Sequence, residues 1–205
     1  NTTGNYNSAL GYQAATGTTT GNQNTAIGYY TFVANTTGGS NTAIGSQALA
    51  ANTTANYNVA VGMQALLANT TGGNNVAMGV SALGSNTTAS DNTAIGTSAL
   101  AGNAALLANT TGTENTAVGS LSGDLITTGQ QNTFVGYASG SSGNYSFSTA
   151  VGHGALFANT SGASNTAIGR AALFANTTGN NNTAVGKDSL LVNTTGHSNV
   201  AVGIT

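Results

Sequence analysis

The chain has 205 residues, of which only 3% are charged: two Lys or Arg and four Asp or Glu, for a net charge of −2. An ordinary globular domain carries roughly 25% charged residues, so the solubility of this chain must rest on Asn, Thr, Ser and Gln. Nucleic acid is excluded as a partner, because the two cations, Arg170 and Lys187, cannot neutralise the phosphates that dominate such binding.

A glycine that ends a short apolar signature recurs through the whole chain. It stands at positions 11, 28, 45, 62, 79, 96, 119, 136, 152, 169, 186 and 203, a period of seventeen that is broken twice. Residues 41–54 give a full copy, N-T-A-I-G-S-Q-A-L-A-A-N-T-T. Self-similarity at a fixed period predicts a repeat architecture. Because the chain begins and ends inside a copy, we expect residues 1–205 to be one repeat domain within a longer fibre.

The first element of each copy is the three residues before the glycine. A large aliphatic residue immediately precedes the glycine in every copy, and the residue before it is Ala in every copy except at Phe134. Neighbouring residues of a strand point to opposite faces. The pattern therefore predicts a short strand that is buried on both faces, with the Ala side packed most tightly.

The second element is an Ala-Leu step three residues after the glycine, as in Ala48-Leu49, Ala65-Leu66 and Ala172-Leu173. It is interpreted either as a second strand or as one turn of helix. Ala and Leu favour helices, but the step is too short for propensity to decide, and the strand is preferred.

The third element is the Asn-Thr-Thr corner, usually followed by Gly, where the chain is expected to turn. Stacked Asn side chains can form a hydrogen-bonded ladder along a solenoid corner. Although Asn35, Asn52 and Asn69 satisfy the glycosylation sequon, their regular recurrence favours the ladder. Its predicted members are Asn35, Asn52, Asn69, Asn86, Asn109, Asn159, Asn176 and Asn193.

Two strands and two corners per seventeen residues predict an all-β fold, a parallel β-solenoid (β-roll) of about 12 coils that stack at ~4.8 Å into a rod of about 58 Å. An antiparallel meander is disfavoured, because the chain lacks the Asn-Gly and Asp-Gly dipeptides typical of tight hairpins. A strand that is apolar on both faces of so thin a coil needs a second surface to bury against. Self-association supplies that surface, and oligomers are usually symmetric.

The segments N-V-A-V-G at 58–62, N-V-A-M-G at 75–79 and N-V-A-V-G at 199–203 resemble the signature of YadA-like heads of trimeric autotransporter adhesins. The longer pattern N-T-A-I-G-x-x-A-L-x-x-N-T-T-G is similar to repeats of phage and viral tail fibres and of bacterial surface proteins. The resemblance implies a homotrimer in which the aliphatic column, such as Ile27, Ile44 and Val61, packs near the shared axis. It implies that Ala26, Ala43 and Ala60 fill the coil interior. The adhesin repeat is shorter and lacks the Asn-Thr-Thr corner.

The pattern is broken within coils 97–152. Six extra residues, Asn103 to Ala108, predict a bulge, and between Leu121 and Gly152 the Asn-Thr-Thr corner is replaced. Irregular repeats often map to surface loops on a binding face, although tolerated drift explains them as well. The residues chosen as a candidate ligand surface are Phe134, Tyr137, Tyr145, Phe147 and His153.

Other aromatic residues, Tyr29, Tyr30 and Phe157, offer sugar-stacking surfaces, although packing is the preferred explanation. No metal or cofactor is expected, because His153 and His197 have no Cys, Asp or Glu at ligand spacing. No catalysis is expected, because Asp91, Glu114, Asp124 and Asp188 lie in different copies and acid–base chemistry needs convergent groups.

The expected function is a structural or adhesive fibre segment outside the cell, on a cell surface or a virion. Its expected partners are further copies of itself and a host-surface glycan or protein. The absence of cysteine is consistent with an exported or virion protein. No membrane insertion is expected, because no apolar run approaches ~20 residues. The alternatives are an ice-binding solenoid that uses Thr53, Thr70 and Thr87, and a passive spacer without a ligand.

Overall fold

The computed structural model describes residues 3–101 and 110–204, and the predicted insertion at Asn103 to Ala108 lies outside them. In the described residues the chain forms one sheet of twelve three-residue strands, whose order in the sheet is their order in the sequence. The strands are β1 Ser8–Leu10, β2 Thr25–Ile27, β3 Thr42–Ile44, β4 Val59–Val61, β5 Val76–Met78, β6 Thr93–Ile95, β7 Thr116–Val118, β8 Thr133–Val135, β9 Thr149–Val151, β10 Thr166–Ile168, β11 Thr183–Val185 and β12 Val200–Val202.

Every strand pairs in parallel with the next, and equivalent residues of successive copies face each other. Ala43 of β3, for example, pairs with Ala26 of β2 and with Ala60 of β4. The predicted parallel β-solenoid with a seventeen-residue spacing is confirmed, with about eleven turns rather than twelve coils. Eleven steps of ~4.8 Å give the sheet a length of about 53 Å along the rod.

Each coil contains one strand instead of the expected two, because the Ala-Leu step is neither a strand nor a helical turn. It lies in consecutive tight turns in which Gln47 and Leu49 have φ values of 59° and 49°. The N–H groups of Ala48 and Asn52 donate to carbonyls three residues earlier, at 3.3 and 3.2 Å. The turns bury Ala48 and Leu49 together, whereas a strand would send one of them outward. Burying both Ala48 and Leu49 therefore decides the conformation of this segment. It offsets the cost of left-handed backbone, which is roughly 1–2 kcal/mol per residue.

The signature glycine is required by its backbone conformation and by the neighbouring coil. Gly45 has φ 130°, and a Cβ built on it would lie 2.5 Å from the carbonyl oxygen of Gly62 in the next coil. The same relation links Gly62 to Gly79 and repeats along the rod. The glycine column therefore allows the chain to leave each strand while the coils stay at hydrogen-bonding distance.

The core is a single narrow column of side chains inside the coils. The Ala of each strand from β2 to β11 is fully buried, apart from β8, where Phe134 takes its place. Leu49, Leu66 and Leu83 close the opposite side of the same interior. The expectation that the Ala column fills the coil interior is confirmed. The aliphatic residue that ends each strand faces outward, with Ile44 37% exposed.

Candidate functional site

Two of the five residues chosen as a ligand surface lie in the core. Phe134 is fully buried and Tyr145 is 3% exposed, and their rings meet edge to face with centroids 5.9 Å apart. That part of the ligand-surface prediction is wrong. Phe134 occupies the inward middle position of β8, so the alternation of the strand turns its ring into the coil.

The ring of Phe134 fits because two glycines replace leucines beside it. Gly123 and Gly140 stand where other coils have an inward Leu, and they keep the left-handed backbone with φ values of 61° and 62°. A Cβ on Gly123 would lie 2.9 Å from Phe134 Cδ2, and one on Gly140 would collide with the same ring. One large side chain thus replaces the volume of two, which conserves the packing of the interior. Leu-to-Gly changes on either side of an Ala-to-Phe change are the sequence signal for this exchange.

Tyr145 takes the place of the Gly or Ala that follows the corner in regular coils. Its backbone carbonyl accepts a hydrogen bond from Asn132 Nδ2 at 2.8 Å, as Ala55 O does from Asn41 at 2.9 Å. Burial raises the pKa of the Tyr145 hydroxyl far above its usual value, and the nearby Asn159 side chain opposes the rise, although no hydrogen bond of normal geometry reaches the hydroxyl within the described residues. The hydroxyl therefore stays neutral and serves packing.

The three remaining candidates are exposed, but the structure brings only two of them together. The rings of Tyr137 and His153 stack with centroids 5.2 Å apart and planes 28° from parallel. Phe147, 55% exposed, lies at the other end of β9 from His153. The five candidates therefore do not form one surface.

The other aromatic candidates, Tyr29, Tyr30 and Phe157, lie in ring contacts along the rod. Tyr12 and Tyr29 stack at 5.7 Å with Tyr30 beside them, and Phe157 and Phe174 stack at 5.0 Å with planes 7° from parallel. Within each stacked pair the rings cover one face of each other. Packing between the rings accounts for these contacts, although Tyr29 remains 54% and Phe157 38% exposed.

The corner asparagines form a ladder of side-chain amides in the regular coils. Asn52 Nδ2 donates to Asn35 Oδ1 at 3.0 Å and Asn69 Nδ2 to Asn52 Oδ1 at 3.1 Å. The same contacts link Asn86 to Asn69, Asn176 to Asn159 and Asn193 to Asn176. Asn109 lies outside the described residues. Asn35, Asn52 and Asn69 are fully buried, which leaves them inaccessible as sugar acceptors in the folded chain.

A second asparagine ladder, at the position just before each strand, was missed by the sequence reasoning. Asn41 Oδ1 accepts the backbone N–H of Asn58 at 2.9 Å, and Asn58 Oδ1 accepts that of Asn75 at 3.0 Å. Asn58 Nδ2 also donates to Gly72 O, a carbonyl of the next coil, at 3.0 Å. The Asn that begins the N-T-A-I-G signature in every copy except that of Ser148 was the available signal, and its role is to hold adjacent coils together.

One pair of acids that the sequence separates is brought together by the fold. Because Thr93 pairs with Thr116, Asp91 and Glu114 stand in the same column of adjacent coils. Asn74 donates to Asp91 at 3.1 Å and Gln131 donates to Glu114 at 2.6 Å, all in exposed positions. The two carboxylates share a column on the surface, whereas acid–base catalysis needs two groups that converge on one pocket. The insertion lengthens the usual separation and hides the pair in the sequence.

In residues 3–101 and 110–204, no group of three or more His, Cys, Asp or Glu side chains is placed to hold a metal ion. No helix in the same ranges is long and apolar enough to cross a membrane.

Comparison with known proteins leaves the resemblance to adhesin heads and tail fibres as a prediction. No protein-family model matches the chain, and neither the curated proteins nor the solved structures give a match.

Proposed function

We propose that this chain is a structural segment of an extracellular fibre that self-associates as a parallel homotrimer through the outer face of its sheet. The observation that carries the proposal is the exposed aliphatic column. Ile44, Met78 and Ile168 are 37%, 43% and 40% exposed, and each belongs to a strand whose neighbours place a similar residue beside it.

The column forms one continuous stripe because the strands are in register. Ile27, Ile44 and Val61 are direct neighbours across β2, β3 and β4. The residue that shares the outer face of each strand is Thr, Val or, in β1, Ser, so the strand positions of this face carry no charge. Continuous apolar surface rimmed by polar residues is typical of protein–protein interfaces.

Association of identical chains in register suits a repeating surface. Each coil presents nearly the same side chains as the next, so a parallel arrangement brings like coils to the same height around a shared axis. Closed symmetry buries the stripe of every chain at once. The corners of the proposed rod carry Asn and Thr. Its proposed external partner is a host-surface glycan or protein.

Sedimentation equilibrium on the purified chain tests the proposal, with a trimer mass as the expected result. Replacing Ile44 and Ile95 with Glu should give a folded species of lower mass, because carboxylates cannot be buried unpaired. The matched control places Glu at Thr54 and Thr111, exposed corner residues, and should stay trimeric. A folded, monodisperse monomer of the native chain would overturn the proposal.

Ice binding is a second candidate, favoured by the same outer face. β3 and β6 carry Thr and Ile on that face, and such ranks repeat at ~4.8 Å. The corner threonines first considered are less suitable, because Thr53 and Thr70 donate their hydroxyls to carbonyls of the next coil at 3.1 and 3.0 Å. Thermal hysteresis by the native chain, together with a monomer mass, would select ice binding over the fibre.

A further inference from the structure

Three of the four Lys, Arg and His side chains of this sequence occupy one column. His153, Arg170 and Lys187 each follow the signature glycine directly, in three successive coils. The backbone is hydrogen-bonded along this column, from Ala171 N to His153 O and from Asp188 N to Arg170 O, at 2.9 Å in both cases. Since Arg170 and Lys187 are the only Lys or Arg residues of the sequence, the fold places both strong cations about 4.8 Å apart along the rod.

These three side chains, here called the basic row, face solvent, and their positive charge is little compensated by acidic side chains. All three are exposed, and the side chain of Lys187 retains 53% of its accessible surface. The acid that contacts the row is Asp188, whose Oδ2 lies 3.4 Å from Lys187 Nζ. Arg170 and Lys187 stand in adjacent coils and repel each other. A bound anion would offset that repulsion.

Tyr137 extends the basic row by one coil. Its ring stacks on His153 at 5.2 Å and is 51% exposed. The equivalent residue of the preceding coil is Ser120, whose short side chain cannot cover the other face of the ring. Four successive coils therefore present an aromatic ring and then the three basic side chains, over about 14 Å along a straight line.

We propose that the basic row binds a linear acidic polysaccharide laid along the rod. An arginine guanidinium binds a carboxylate or sulfate through two parallel hydrogen bonds, and a lysine ammonium adds a point charge. The free face of Tyr137 packs against a sugar ring at one end of the row. The inference goes beyond the fibre proposal, because the row belongs to a single chain and does not depend on how many chains associate.

Two other polyanions fit the row less well. A nucleic acid needs many phosphates neutralised at once, and two fixed cations are too few. An anionic membrane attracts each Lys or Arg weakly and needs a larger cluster. A straight, narrow row on a rod matches an extended polymer whose charges recur along its length.

The test measures binding of the full chain to immobilised polygalacturonate in a biosensor, with neutral dextran and phosphatidylserine vesicles as parallel probes. Binding to polygalacturonate is expected at low salt. It should disappear at about 1 M salt, where charge interactions are screened beyond ~3 Å. Equal binding to dextran, or binding to vesicles without binding to polygalacturonate, would overturn the proposal.

A relocated variant separates the row from overall charge. It carries Arg170→Ser and Lys187→Thr together with Ser46→Arg and Thr97→Lys, which moves both cations to the same column of distant coils and keeps the net charge. Affinity should fall roughly tenfold, since the two cations no longer stand in adjacent coils next to His153 and Tyr137. Unchanged affinity in a variant with the native circular dichroism spectrum would contradict the proposal.

The substitution Asp188→Asn should have the opposite effect. It removes the acid that competes for Lys187 at a position with φ 59°, a conformation that asparagine tolerates. Affinity for polygalacturonate should rise about threefold, in line with the loss of an exposed ion pair. An unchanged or lower affinity would show that Lys187 does not contact the polymer, and a gain in binding cannot result from unfolding.

Discussion

The regular coils and the irregular coils between Leu121 and Gly152 satisfy the same backbone N–H groups with different hydrogen-bond acceptors. In regular coils Thr36 O accepts the N–H groups of Thr19, Thr20 and Gly21 at 3.0, 3.1 and 3.3 Å. In the irregular stretch Asn144 Oδ1 takes this role, with Thr127, Thr128 and Gly129 as donors at 3.1, 2.9 and 2.7 Å.

The strand register is also preserved where the coil is one residue shorter. Thr133 pairs with Thr149, sixteen residues later, and Phe134 pairs with Ala150. The fold therefore constrains hydrogen-bonding positions and interior volume, and the identity of the residue that meets each constraint is free to change. The irregular coils are compensated variants of the regular ones, not loops detached from the rod.

The largest effect is expected when a regular coil receives a Phe like Phe134 but keeps its two leucines in place of Gly123 and Gly140. Ala60→Phe would push a ring against Leu49 and Leu66, which correspond to Gly123 and Gly140 beside Phe134. Because overpacking of a rigid interior is destabilising, the free energy of unfolding should fall by about 3 kcal/mol. Urea denaturation followed by circular dichroism measures this change.

The compensated variant is the control for Ala60→Phe. Adding Leu49→Gly and Leu66→Gly reproduces the arrangement around Phe134 and should recover a large part of the loss, since glycine suits both left-handed positions. If Ala60→Phe alone leaves the denaturation midpoint unchanged, the interior of the regular coils is not closely packed and the comparison fails.

A smaller effect is expected from removing one step of the corner ladder. Asn52→Ala leaves the buried Asn35 Oδ1, which accepts Asn52 Nδ2 at 3.0 Å, without that donor, whereas Ala55 O keeps its hydrogen bond from Asn41 Nδ2. An unsatisfied buried polar group costs 1–3 kcal/mol, so a loss of about 2 kcal/mol is expected by the same denaturation measurement. Thr54→Ala, at an exposed position of the same corner, should have little effect. Equal losses for both variants would show that the ladder adds no stability beyond the corner itself.

Much of the fold follows from the sequence because it depends on period and face. The strand, the buried Ala column and the parallel stacking are all consequences of which residues recur every seventeen positions. The turns at Gln47 and Leu49 were not predictable in this way, because left-handed backbone at non-glycine residues has no strong compositional signal and is imposed by the need to bury Ala48 and Leu49 together.

The candidate site was less predictable than the fold. Phe134 and Tyr145 were chosen because they are aromatic and irregular, but inward position and not residue type decides exposure. The insertion between Asp91 and Glu114 lengthens their separation in the sequence. Their shared column is therefore evident only from the register of β6 and β7. In contrast, the period of seventeen residues relates His153, Arg170 and Lys187. Aligning the copies by their signature glycines would have placed them in one column.

The smallest effect concerns pH and distinguishes the buried tyrosine of the irregular coils from the exposed tyrosines elsewhere. Burial raises the pKa of Tyr145 in the folded chain, whereas in the unfolded chain the hydroxyl ionises near pH 10. Below pH 10 both states keep the proton and stability does not depend on this group. Above pH 10 the unfolded state loses the proton first, so the free energy of unfolding should fall by about 1.4 kcal/mol per pH unit. Tyr145→Phe should abolish this slope, and Tyr57→Phe, an exposed control, should retain it. An identical alkaline slope in the native chain and in Tyr145→Phe would show that the hydroxyl reaches solvent, and the irregular core would then be more open than the regular one.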